Sequence, residues 1–286
     1  MKLFEFKKKF LLVLGLLLFW SVFMSAQTTD HKVKQKKEIE RIKKSKIKEC
    51  TLWNYYFKSG KYRENGVKSI KNTYDRKGNL TEEIKYFQNG KINSRTIYTY
   101  DKKGIISGII FSTSDGKNNF KKTFTSAVNG KINDWILYKA DGSINFKGTC
   151  AYDSNGNLSD EINMKSDGTM NSKTSFKYDP NGNITEEIVY DPYGNIHSRT
   201  VYTYDVNGNR TESIYYKFDN SIDLKWTYTY DQNGNQNKGN QYDSEGNNNL
   251  IESSTFDRNG NLKEKIYYDK PDAPKLKVVY LYGYYK

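Results

Sequence analysis

From residue 74 onward, apolar and polar positions alternate in runs of seven to nine residues, and each run ends in a glycine-bearing turn. The alternation has period two, the mark of a strand with two unlike faces. In "LTEEIKY" (80–86), Leu80, Ile84 and Tyr86 share one parity and Thr81, Glu83 and Lys85 the other. Ile184, Ile188 and Tyr190 repeat the first set. In the following run Ile92, Thr96 and Tyr98 share a parity, as do Ile196, Thr200 and Tyr202.

The runs recur on a fixed interval. Tyr74, Tyr100, Tyr152, Tyr178, Tyr204 and Tyr230 lie on a 26-residue grid, with Ser126 and Phe256 at the remaining points and Tyr282 closing it. Glycine follows four residues after every point, from Gly78 to Gly260, and a second glycine comes 12 residues later in six repeats. Asp-x-x-Gly fits a type I turn whose fourth residue takes positive φ and closes a three-residue hairpin loop with a G1 bulge. The expected fold is all-β: an antiparallel β-hairpin repeat array of 26-residue units, about 16–18 strands, in one curved or coiled sheet. A three-residue loop without further irregularity puts Glu83 opposite Arg95, Glu161 opposite Lys173 and Glu187 opposite Arg199, charge pairs that specify register more than they stabilise. Gln236 and Asn240 stand at otherwise apolar positions and predict a looser strand, and Pro274 predicts an edge.

The phrases "YDRKGNLTEE", "YDSNGNLSDE", "YDPNGNITEE", "YDVNGNRTES" and "FDRNGNLKEK" resemble the YD repeats of the Rhs-type family of secreted and cell-surface proteins, over residues 74–282. That resemblance implies strands wound into a long sheet or shell at the cell surface. MORN-type hairpin arrays are a weaker likeness. Large Rhs members enclose a C-terminal toxin, for which the repeats of this chain leave no room.

Charge divides the chain. The whole carries +13, but residues 1–50 hold 13 Lys/Arg against 5 Asp/Glu and the remaining 236 hold 33 against 28. Nucleic-acid binding by the repeat body is therefore not expected. Lys2, Lys7, Lys8 and Lys9 precede an apolar run from Phe10 to Met24 and a cleavage point after Ala26, the order of a secretory signal peptide. The expected division is a signal peptide over 1–26, a basic tether (helix or disorder) over 27–50 with a possible contact to anionic surfaces, a capping hairpin over 51–73 and the repeat domain over 74–286. Localisation follows as secreted or cell envelope. Cys50 and Cys150 lie about four repeats apart and are expected as free thiols.

Candidate chemistry is sparse. His31 and His197 have no metal-ligand spacing around them, so no metal or other cofactor is expected. The Asp-x-Asn-Gly-Asn turns place glycine fourth, not sixth as a calcium loop requires. Glu82, Asp134, Asp160, Glu186, Glu212 and Glu264 form an acidic column on the parity of Ile and Tyr, which argues against lipid on that face. Acids beside tyrosine columns suit sugar hydroxyls and ring faces. Tyr138, Tyr190, Tyr216, Tyr242, Glu186 and Glu212 are the candidate ligand-binding residues of a non-catalytic surface protein with a glycan or protein partner. A purely structural spacer and a glycan-active enzyme are the alternatives.

Overall fold

A computed structural model describes residues 29–126, 130–270 and 272–286, with the side chains of residues 29–35 left aside. The expected signal peptide lies outside the described residues. A helix, α1 (Thr29–Lys44), is followed by β1 (Ile47–Lys58), β2 (Lys61–Tyr62), β3 (Val67–Tyr74), β4 (Leu80–Tyr86), β5 (Ile92–Tyr100), β6 (Ile106–Thr113), β7 (Phe120–Ser126), β8 (Ile132–Lys139) and β9 (Ile144–Tyr152). Then come β10 (Leu158–Lys165), β11 (Met170–Tyr178), β12 (Ile184–Tyr190), β13 (Ile196–Tyr204), β14 (Arg210–Lys217), β15 (Ile222–Tyr230), β16 (Gln236–Asp243), β17 (Asn248–Phe256), β18 (Leu262–Lys270) and β19 (Ala273–Tyr284). The basic segment thus supplies a helix and, from Ile47, the start of a strand.

Consecutive strands from β3 to β19 pair antiparallel, and β1 pairs with both β3 and β19. The sheet therefore closes. With β2 attached to β1 alone, the wall is a barrel of 18 strands, not the open curved sheet expected. Closure removes the edge that Pro274 was expected to mark. β19 is paired on both sides, and Pro274 precedes the stretch, Leu276–Tyr284, that meets β1.

The turns follow the predicted chemistry. The glycines at their fourth positions adopt φ of 69–88° among those described. Asp179 accepts from the backbone N–H of Asn181 and Asn183 through Oδ1 and from Asn183 Nδ2 through Oδ2. Both carboxylate oxygens are thereby occupied within the loop, and the same set recurs at Asp205, Asp231 and Asp257.

Facing is where the expectation fails. Consecutive hairpins other than β6–β7, whose register is unbroken, insert an extra residue beside the turn: Tyr178 pairs with Ile184 but Lys177 with Glu186, and Tyr190 pairs with Ile196 but Val189 with Ser198. A one-residue bulge moves every later side chain to the opposite face. Ile184 and Ile188 therefore face opposite ways, as do Ile196 and Thr200. The register is one residue off the expected one. Glu83 opposes Thr96, Glu161 opposes Thr174 and Glu187 opposes Thr200.

Which face is inner follows from crowding. Side chains on the concave side of a closed sheet converge, and the strand residues Thr96, Ile109, Trp135, Glu161, Asn163 and Ser213, each at most 2% exposed, all lie on one face. That face lines the lumen. A round barrel of 18 strands about 4.8 Å apart and tilted about 40° measures roughly 35 Å between opposite backbones.

The grid tyrosines join repeats from the inside. From Tyr100 onward each phenol donates to the carbonyl 20 residues upstream, on the first residue of the strand after the preceding turn. Tyr100 reaches Leu80 (2.7 Å), Tyr178 reaches Leu158 (2.7 Å), Tyr204 reaches Ile184 (2.8 Å) and Tyr230 reaches Arg210 (2.7 Å). At one end of the barrel α1 lies against these turns. Arg41 donates to Asn261, Ile42 is buried, and the Ile39 carbonyl sits where a Cβ on Gly78 would be.

Candidate functional site: the lumen wall and the convex face

Because the barrel closes, successive repeats are related by rotation about its axis, and equivalent positions share a height. One inner row holds the residues five after each first-turn glycine: Glu83, Ile109, Trp135, Glu161, Glu187, Ser213, Gly239 and Lys265. Each is paired across to a residue of the next strand: Thr96, Lys122, Gly148, Thr174, Thr200, Trp226, Glu252 and Val278. In three of these pairs a large side chain faces a small one. The Trp135 ring occupies the space a Cβ on Gly148 would take, and Glu252 lies against Gly239 in the same way. Trp226 faces Ser213.

The row divides the lumen wall into two sectors. From β5 to β11 it is packed shut. Ile109, Phe124, Ile132 and Trp135 form one buried cluster, Leu158, Phe176 and Ile184 another. Within this core Trp135 Nε1 donates to Glu161 Oε1 at 2.6 Å, and Lys122 Nζ stands 3.7 Å from the centre of the Trp135 ring. Burial pushes the Glu161 carboxyl up to about 6, against the pull of Lys122 and Trp135. Burial likewise brings the Lys122 ammonium down to about 8, against the opposing pull of Glu161.

From β13 to β19 the wall is aromatic and half-buried. Tyr202, Tyr215, Trp226, Tyr228, Tyr267 and Tyr280 are each partly exposed. The Trp226 and Tyr228 rings stack with centroids 6.1 Å apart. Desolvation raises these phenols, Tyr215 and Tyr267 to about 12 and Tyr202 well above the ordinary range. They stay neutral donors at physiological pH. Two carboxylates accompany the sector, Glu187 on the adjoining β12 and Glu252 on β17. Glu187 accepts from the Tyr202 hydroxyl at 3.1 Å, with the Arg210 guanidinium 4.3 Å over the Tyr202 ring. Glu252 accepts from Gln236 at 2.8 Å and from Lys265 at 3.3 Å. Gln236 thus reads as a partner for an inward acid, and its strand is continuous.

The residues picked from sequence lie on the other side of the wall. Tyr138, Tyr190, Tyr216, Tyr242, Glu186 and Glu212 all face outward, since the bulges place them opposite the lumen row. The acidic column is ion-paired there: Glu82 with Arg95, Asp160 with Lys173, Glu186 with Arg199 and Lys177, Glu212 with Lys225. Hydrogen bonds to Lys177 hold the Glu186 carboxyl below its usual range. The outer tyrosines instead form a collar near the end of the barrel opposite α1. There Tyr138 faces Ile144, Met164 faces Met170, Tyr190 faces Ile196 and Tyr216 faces Ile222. His197 is the extra residue of a bulge and is exposed. Among the described residues no group of three His, Cys, Asp or Glu is arranged to hold a metal ion. Cys50 and Cys150 are not joined in a disulfide. The inner aromatics could have been found in sequence only by counting from the glycine through the bulge, as above.

No family model and no curated protein matches the chain. Among solved structures it is similar to a porin-like protein from Bacteroides uniformis (12% identity over 83% of this chain and 98% of that chain, TM-score 0.45). A porin-like protein from Bacteroides vulgatus is matched at 12% identity over 84% of this chain and 98% of that chain, with a TM-score of 0.33. A Tc holotoxin pore of Photorhabdus luminescens is matched at 11% identity over 80% of this chain and 20% of that one, with a TM-score of 0.18. None of these three scores reaches 0.5, and closure of the barrel rests on the pairing of β1 with β19. The resemblance to Rhs-type YD repeats and MORN arrays is corrected accordingly. No family model carries it, the sheet closes on itself through β1 and β19 instead of running on as an open repeat array, and the shared phrase is accounted for by the hydrogen bonding of a turn.

Proposed function

We propose that this chain is a non-catalytic protein of the cell envelope whose lumen wall binds a glycan along β13–β19. The observation that carries the reading is the half-open row of neutral aromatics, with the Trp226–Tyr228 stack at its centre and Glu187 and Glu252 beside it. Flat rings take the apolar faces of sugars, and neighbouring carboxylates accept from hydroxyls. The envelope assignment follows from the basic, then apolar, N-terminus. The ion-paired columns on the convex face support a barrel standing in water, since a membrane-spanning barrel presents an apolar band about 25 Å tall there.

A glycan array followed by calorimetry on the best ligand tests this. Trp226→Ala is expected to weaken binding by at least about tenfold, the scale of one lost aromatic contact of about 1.5 kcal/mol. Tyr216→Ala, on the convex face, is expected to leave it unchanged. A structural spacer predicts no glycan signal, and equal loss in both variants would return the site to the outer face.

A further inference from the structure

The collar of the convex face has a composition and a shape that the lumen reading does not use. Its rows stand at one height around the barrel, so they describe a plane. In the best-formed stretch Tyr190 faces Ile196 and Tyr216 faces Ile222, with both isoleucines 39% exposed. Ile92 repeats the position at 42%. The turn tips beyond carry Phe87, Tyr193 and Phe218, exposed by 45%, 88% and 74%. The first-turn sequences carry mainly Asp, Asn, Lys and Arg in the same places, as in "DRKGN" and "DQNGN", with Ala127, Val128, Pro180 and Val206 as exceptions.

Directly inside the collar lies a ring of bases, 17 residues after each first-turn glycine. Seven of eight repeats have one, from Arg95 to Lys277, and Ile251 is the exception. Five of the seven bases are cross-strand neighbours of a collar residue: Lys121 of Tyr138, Lys147 of Met164, Lys173 of Tyr190, Arg199 of Tyr216 and Lys225 of Tyr242, whereas Arg95 faces Ser112 and Lys277 faces Tyr55. The acids that pair with these bases lie one row farther from the collar. From turn tip to base ring the apolar band is about 10 Å tall, from about 3.3 Å per residue along a tilted strand. That is far short of the 30 Å hydrocarbon core of a bilayer, and it matches the 5–10 Å to which interfacial elements sink.

We propose that the end of the barrel opposite α1 seats in the surface of an anionic phospholipid bilayer, with the Tyr/Ile collar at the headgroup–acyl boundary and the ring of Lys/Arg at the phosphates. A basic row that recurs at one height in seven of eight repeats favours a planar surface, whereas a protein partner would call for a patch on one side. Tyrosine at the boundary and long basic side chains reaching for headgroups are the residue types that such an interface selects. The inference uses only the convex face and stands or falls separately from glycan binding.

The test is flotation of the full chain with unilamellar vesicles of phosphatidylcholine containing phosphatidylglycerol. The double variant Ile196→Glu/Ile222→Glu is expected to partition about tenfold or more less well, since two buried apolar side chains are replaced by charges. Val206→Glu, at the α1 end, is expected to partition like the parent. Every variant keeps the apolar run of residues 10–24, so the comparison isolates the collar. Should the double variant not fold, a second measurement decides. Brominated lipid is expected to quench the fluorescence added by Phe218→Trp and to spare that added by Val206→Trp. Unchanged flotation of a folded collar variant, equal quenching at the two ends, or a collar-dependent dimer in sedimentation without lipid binding would each overturn the proposal.

Discussion

Lys122, Trp135 and Glu161 show how one buried trio can make stability depend on pH. A carboxyl raised to about 6 holds its proton more tightly folded than unfolded, so its contribution is complete below the ordinary carboxyl range and is lost as pH rises through 6. An ammonium lowered to about 8 contributes fully above the ordinary lysine range and loses that contribution as pH falls through 8. Between pH 6 and 8 both are charged and both suffer desolvation, which their mutual attraction only partly offsets. Lys122→Met should therefore destabilise the barrel at pH 7.5 by about 3 kcal/mol, by leaving a buried carboxylate without its cation. Most of that loss should vanish at pH 5, where Glu161 takes up a proton. The double variant Lys122→Met/Glu161→Gln should be at least as stable as the parent at pH 7. Urea midpoints at the two pH values measure both; a pH-independent loss in the single variant would mean the pair is not the source.

At the scale of the element, the repeating unit is a bulged hairpin tied to its neighbour by a tyrosine. The tie is a phenol-to-carbonyl hydrogen bond across 20 residues, and its net value should be about 1 kcal/mol. Tyr230→Phe should cost about that much in denaturant midpoint without moving any strand. The grid point at 256 is already phenylalanine, and Phe256→Tyr should restore a tie to the Gln236 carbonyl and stabilise by a similar amount. An unchanged midpoint in both variants would show that the phenols serve only as packing. The second bulge, beyond the one expected at the turn glycine, was the illegible part of the element. A turn of known type announces itself by Asp and Gly at fixed places, but the extra residue next to it has no composition of its own. It is Thr185 in one hairpin and His197 in the next. One uncounted residue reverses the inside and outside of every strand, which is why the predicted tyrosine column proved to be the collar.

For the whole molecule the decisive contact is β1 against β19, residues Ile47–Tyr56 against Leu276–Tyr284. Without it the sheet has two open edges, and edges recruit other chains. A chain truncated after Asp272 should lose its cooperative thermal transition and associate through β1 and β18. Light scattering and circular dichroism follow the two effects, and a truncated chain that stays monomeric with an unchanged melting temperature would mean that closure adds little.

Local chemistry determined much of this protein directly from its amino acids: the strands, the turns and their glycines, the 26-residue interval and the all-antiparallel class. These depend on φ/ψ preferences and period-two patterning within a dozen residues, and the chain states them eight times over. Tertiary structure alone decided whether the ribbon closes, which face became the lumen, and which tyrosines meet one another. Closure depends on strand tilt and register summed over 18 pairings, and facing on a bulge set by the fit of neighbouring hairpins. Neither quantity is carried by any one repeat.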